Sequence, residues 1–97
     1  MASSEELIEL IEGCKGQKPS AQRKLYARFS GQLFATAIRH TNCREDAEDV
    51  LQDSFVKIFN HINSYRQDFS FEGWIRRIVV NTAITHYRKN LKHSHHK

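Results

Sequence analysis

The chain has 97 residues, is 39% hydrophobic and 27% charged, and carries a net charge of +4. That is enough apolar material for one modest core and too little length for a second domain. No apolar run approaches the ~20 residues that cross a bilayer, and the acidic start Met1-Ala2-Ser3-Ser4-Glu5-Glu6 lacks the basic and apolar stretches of a secretory signal. These features predict a cytoplasmic chain without membrane insertion, in which Cys14 and Cys43 are reduced thiols.

Four helices are expected, with short connections and no strand-like alternation long enough to compete. The first spans roughly Ser4 to Cys14, with Leu7, Ile8, Leu10 and Ile11 apolar and Glu5, Glu6, Glu9 and Glu12 outside; Ser3 or Ser4 can cap it, and acids suit its first turn. Two glycines and the only proline, within Gly13 to Pro19, end it. The second helix is expected to take Ser20 as N-cap and run to about His40. Leu25, Phe29, Leu33 and Ala37 recur every four residues along it, with Phe34 and Ile38 widening the apolar face.

Asn42 followed by Glu45 three residues later predicts a capping-box start for the third helix, ending near Ile62. Ala47, Val50, Leu51, Ser54, Phe55, Ile58 and Ile62 fall on one side of it, and Glu45, Asp46, Asp49, Gln52 and Asp53 near the other. Five carboxylates within nine residues make that outer side an acidic stripe, with Val56 exposed among them. The stripe can dock a basic partner or can be merely solvated.

After the loop from Asn63 to Ser70, Ser70 can cap a fourth helix reaching about Arg88 or Asn90. Gly73 weakens its first turn by ~1 kcal/mol relative to alanine, which suggests close packing or partner approach at that point. Ile75, Ile78, Val79 and Thr82 share the core face, while Trp74, Arg77, Asn81, Thr85 and Arg88 gather within roughly 80° of arc on another. From Gly73 onward there are six Lys/Arg and no acid, whereas the first 72 residues hold nine Lys/Arg against eleven acids. Arginine binds phosphate or guanine, asparagine reads a base edge and tryptophan stacks, so this face suits a nucleic acid. A solvated face with a half-buried tryptophan is the plainer alternative. The tail Lys92-His93-Ser94-His95-His96-Lys97 has no apolar content and is expected to be mobile.

The loop from Tyr65 to Phe71 interleaves aromatic rings with Arg66, Asp68 and Ser70. It can hold an unstacked base between rings, or Phe69 and Phe71 can pin the loop to the core while Tyr65 closes the third helix. The tail imidazoles lack any fixed ligand geometry, so no metal or other cofactor is expected. No nucleophile–base grouping, glycine-rich phosphate loop or embedded carboxylate pair appears, which argues against an enzyme.

Three blocks in order and spacing, Asp46 to Phe59, Ser64-Tyr65-Arg66 with Phe71 and Trp74, and Trp74-Ile75-Arg76-Arg77-Ile78-Val79-Val80-Asn81-Thr82-Ala83, resemble region 2 of the sigma-70 family of RNA polymerase sigma factors. The resemblance is strongest to the extracytoplasmic-function (ECF) group and covers Leu7 to Lys89. It implies an all-α, compact four-helix domain over residues 1–91 with a base-capturing loop between helices three and four, followed by a basic, His-rich tail at 92–97.

The implied function is that of a non-catalytic transcription-initiation specificity factor that recognises and melts the promoter minus-ten element. By matching position, Asn81 is the implied base reader. Tyr65, Arg66, Asp68, Phe69, Ser70 and Phe71 line a flipped-base pocket beside Trp74. Arg76, Arg77, Arg88 and Lys89 hold phosphates. Asp46, Asp49, Gln52, Asp53 and Val56 face the polymerase.

The implied partners are the beta-prime clamp helices of RNA polymerase, single-stranded non-template promoter DNA and an anti-sigma factor, with the domain itself a monomer. Gln67 and Phe69 stand where the family has small residues, and Gln17 to Ala21, with Pro19, departs from the usual inter-helix pattern. The family's domain that reads the minus-thirty-five element has no counterpart here, which implies an isolated domain. The reading outside this family is a helical protein–protein adaptor that uses the acidic helix without binding DNA; a second rival is an RNA-binding helical domain.

Overall fold

The computed structural model describes residues 4–66 and 70–94, with side chains from Glu5 to Lys89 within that span. Its helices are α1 (Ser4–Lys15), α2 (Pro19–Arg39), α3 (Arg44–His61) and α4 (Phe71–Ser94), with a 3-10 turn at Ile62–Ser64 between the last two. No strand occurs among the described residues.

The corner between α1 and α2 is tighter than its glycines suggest. Gln17 takes φ 59°, the left-handed position where glycine is the usual choice. Its N–H donates to the Cys14 carbonyl at 2.9 Å, and the Lys18 N–H donates to the Gly13 carbonyl at 3.0 Å. This pair of bonds is a Schellman stop, which satisfies carbonyls that the helix end would otherwise leave open. Gly13 is needed for a different reason: a Cβ there would lie 2.6 Å from the Ala21 Cβ.

Two expected caps differ from those observed. Pro19 occupies the first turn of α2, with Lys18 as N-cap, because proline fixes the helical φ where no N–H is needed. Ser20 therefore lies inside the helix. For α3 the N-cap is Cys43, whose Sγ accepts the Asp46 N–H at 3.5 Å; Asn42 lies one residue outside.

Leu25, Phe29, Leu33 and Ala37 of α2 are all buried, as are Ala47, Val50, Leu51, Ser54, Phe55 and Ile58 of α3 with Ile62 just beyond it. α4 adds Phe71, Ile75, Val79 and Ala83 to this core. Ile38 is exposed and Phe34 only half-buried, so the α2 apolar face is narrower than expected. The Arg44 guanidinium lies 5.6 Å from the centroid of the Phe34 ring. α4 continues to Ser94, past the expected end at Arg88 or Asn90 and into the segment expected to be a mobile tail; His95, His96 and Lys97 lie outside the described residues.

Candidate nucleic-acid interface

Ser70 starts α4. Its Oγ accepts the Gly73 N–H at 3.2 Å, and its carbonyl accepts the Trp74 N–H at 2.9 Å. This cap fixes where the helix begins and so which residues face outward. Beneath it, rings crowd together: Tyr65–Phe71 centroids stand 5.1 Å apart, Tyr65–Trp74 5.3 Å and Phe71–Trp74 5.8 Å, with Phe29 5.7 Å from Phe71. Each such pair contributes about 0.5–1.5 kcal/mol beyond burial.

Tyr65 and Phe71 differ from the pocket-lining role implied by the resemblance. They are 6% and 4% exposed, because Phe71 packs against Phe29 of α2 and Tyr65 packs against Phe71 and Trp74. They form the support under the site. The lining groups among the described residues are Ser70, Gly73, Trp74 and Arg77, around a cavity of about 340 Å³. That volume is at the lower end of the ~300–1,000 Å³ typical of ligand pockets. Arg66 is exposed. Gln67, Asp68 and Phe69 lie outside the described residues.

From the cavity a polar row runs along α4. Arg77, Asn81, Thr85 and Arg88 are exposed and Trp74 is half-buried. The Thr85 Oγ1 donates to the Asn81 carbonyl at 3.0 Å, and the Asn81 carboxamide has no hydrogen bond among the described residues. Its donor and acceptor are both available to a base edge. Arg76 is exposed too, but five residues from Asn81 place it roughly 140° around the helix. It therefore does not share the face of Arg77 and Arg88. Lys89 sits at the margin, about 80° from Asn81.

The acidic face of α3 presents Asp49, Gln52, Asp53 and Val56 to solvent, Val56 with 58% exposure. Asp46 departs from that stripe. It is half-buried, and its Oδ1 lies 3.3 Å from the Nε2 of His86 on α4. α3 and α4 are also tied by Lys57 Nζ, which donates to Thr82 Oγ1 at 3.1 Å, and Thr82 in turn donates to the Ile78 carbonyl at 2.7 Å. Sequence reasoning missed the grouping of Asp46, Asp49 and His86, because no periodicity connects residues forty apart in the chain. Cys14 and Cys43 are free thiols.

The domain thus combines an acidic outer helix with a last helix whose exposed Arg77, Asn81, Thr85 and Arg88 run on from a small cavity at Trp74. Residues 25–93 match the Sigma-70 region 2 family, and the chain belongs to it. It is 27% identical over 86 residues to the RNA polymerase sigma-H factor of Pseudomonas aeruginosa, covering 89% of this chain and 45% of that protein. It is 34% identical over 74 residues to the ECF RNA polymerase sigma-E factor of Haemophilus influenzae, covering 76% and 39%. The chain thus spans less than half the length of these relatives. Among solved structures it resembles an engineered region 2 of sigmaE, determined by NMR in complex with GTAAAA, at a TM-score of 0.80 and 25% identity, covering 87% of each chain.

Proposed function

We propose that this chain is the minus-ten-recognition domain of an ECF-type sigma factor, a non-catalytic specificity module that captures one flipped base of the non-template strand. The observation that carries this reading is the row Arg77, Asn81, Thr85 and Arg88, exposed and continuous with the Trp74 cavity. The structural likeness to a region 2 solved with GTAAAA supports it. Ser70, Gly73 and Trp74 receive the base, Asn81 reads its neighbour, and Arg77 and Arg88 hold the phosphates on either side. Asp49, Gln52, Asp53 and Val56 dock on the beta-prime clamp helices of RNA polymerase, and an anti-sigma factor competes for the same surfaces. No helix of the described residues is long and apolar enough to cross a membrane; the site of action is the cell interior, where polymerase works.

The energetics suit such a role. Unstacking a base costs a few kcal/mol, and aromatic stacking contributes about 1–3 kcal/mol per base. Capture is therefore near balance in the isolated domain, and polymerase binding shifts it toward the open promoter. A wrong base then loses enough to abort melting.

Fluorescence titration with single-stranded DNA permuted around GTAAAA tests the reading. Sequence preference for deoxyribose strands is expected. Asn81→Ala should lose ~1–3 kcal/mol of discrimination at one position. A protein–protein adaptor would show no sequence preference, an RNA reader would prefer ribose, and an unchanged preference profile in Asn81→Ala would remove the base-reading assignment.

A further inference from the structure

Where α3 crosses α4, three potential metal ligands converge from two helices. One ligand atom each of Asp46, Asp49 and His86 lies within 4.8 Å of the others. Asp46 and Asp49 are one turn apart on α3, and His86 reaches them from α4. Ala47, next to Asp46 in α3, and Ala83, about one turn before His86 in α4, are both buried, and side chains that small let helices approach closely.

The imidazole is the informative group. Among the described residues, His86 Nε2 is the one buried side-chain nitrogen or oxygen without a hydrogen bond. A buried polar atom left in that state costs stability. Its separation from Asp46 Oδ1 is 3.3 Å, yet the two atoms do not form a hydrogen bond. Two ligands each ~2.0–2.1 Å from a tetrahedral zinc ion stand about 3.3 Å apart, so the distance fits a shared ion. The Asp49 carboxylate is exposed and can supply the third bond by a rotamer change. The open side of the site leaves a fourth position for water.

We propose that Asp46, Asp49 and His86 form a three-ligand site for a divalent transition-metal ion, zinc being the best fit, that clasps α3 to α4. One imidazole with two carboxylates suits Zn²⁺ or Co²⁺ better than Mg²⁺ or Ca²⁺, which take oxygen ligands. The consequence for function rests on the docking reading above: the ion withdraws Asp49 from the acidic face and neutralises it, so metal loading weakens the hold on polymerase.

Co²⁺ titration of the full chain, followed by its visible absorption bands and then by Zn²⁺ displacement, tests the site. The histidines at 93, 95 and 96 are replaced by glutamine throughout, so that the tail cannot bind the probe. One ion per chain is expected, with affinity falling at least tenfold in both His86→Gln and Asp49→Asn. Asp49 is exposed, so its variant tests the site even if His86→Gln perturbs packing. Absence of cobalt bands at millimolar Co²⁺, or uptake unchanged in both variants, overturns the proposal. In a second arm, Zn²⁺ should weaken binding of the chain to RNA polymerase, and His86→Gln should abolish that effect. Uptake without an effect on polymerase would retain the ion site and remove only its regulatory consequence.

Discussion

Gly13 and Gly73 both lie within helices, yet they sit in opposite surroundings. A methyl group at Gly13 would overlap the Ala21 side chain, at 2.6 Å, whereas one at Gly73 would meet only Ser70, at 3.6 Å. The first glycine is required by the fold. The second has room for a side chain and lines the cavity beside Trp74, so the fold alone gives no reason for it. One end of the molecule is closed by its own packing, and the other keeps a space that the described residues do not fill.

The largest effect expected is at the support beneath the open end. Phe71→Ala should cost ~3–5 kcal/mol of stability, read by urea unfolding; a loss under 1 kcal/mol would mean that the aromatic wedge does not hold α4. Next comes the closed end, where Gly13→Ala should cost ~1–3 kcal/mol through overpacking. Burial pushes the Cys14 thiol above its ordinary range, so Cys14 should label slowly. Labelling at Cys14 should accelerate in Gly13→Ala, with exposed Cys43 as the internal reference.

Gly73→Ala should act in the opposite direction, raising stability by up to ~1 kcal/mol while weakening single-stranded DNA. Unchanged DNA affinity would mean that no base enters the cavity. The smallest effect separates two adjacent arginines. Arg77→Ala should lower the salt slope of DNA binding by about 0.7 for a single strand, and Arg76→Ala, on the other side of the helix, should leave it unaltered. Equal slopes for the two variants would erase the distinction between their faces.

Much of the core was legible because it depends on helical periodicity alone. The four-residue row in α2 and the inward residues of α3 needed no tertiary information, and neither did the outward placement of Asn81. The fate of the loop rings was not legible. Tyr65 and Phe71 have the chemistry for stacking on either a base or each other, and only the approach of α2 and α4 decides between them. Arg76 shows the reverse case: its position around α4 follows from spacing, and the phosphate role came from the family likeness instead. Cys43 was hidden as a cap because thiol sulfur is a weaker acceptor than the Asn42 side chain beside it. The pairing of Asp46 with His86 required the two helices to be laid side by side.

Lys15, the last residue of α1, donates from Nζ to the backbone carbonyl of Tyr65 at 3.4 Å. The opening helix therefore ties down Tyr65, whose ring packs on Phe71 and Trp74. Loosening α1 would release Tyr65 from behind Trp74, so under the proposed reading a helix that carries no candidate DNA contact still governs how firmly the stacking ring is held.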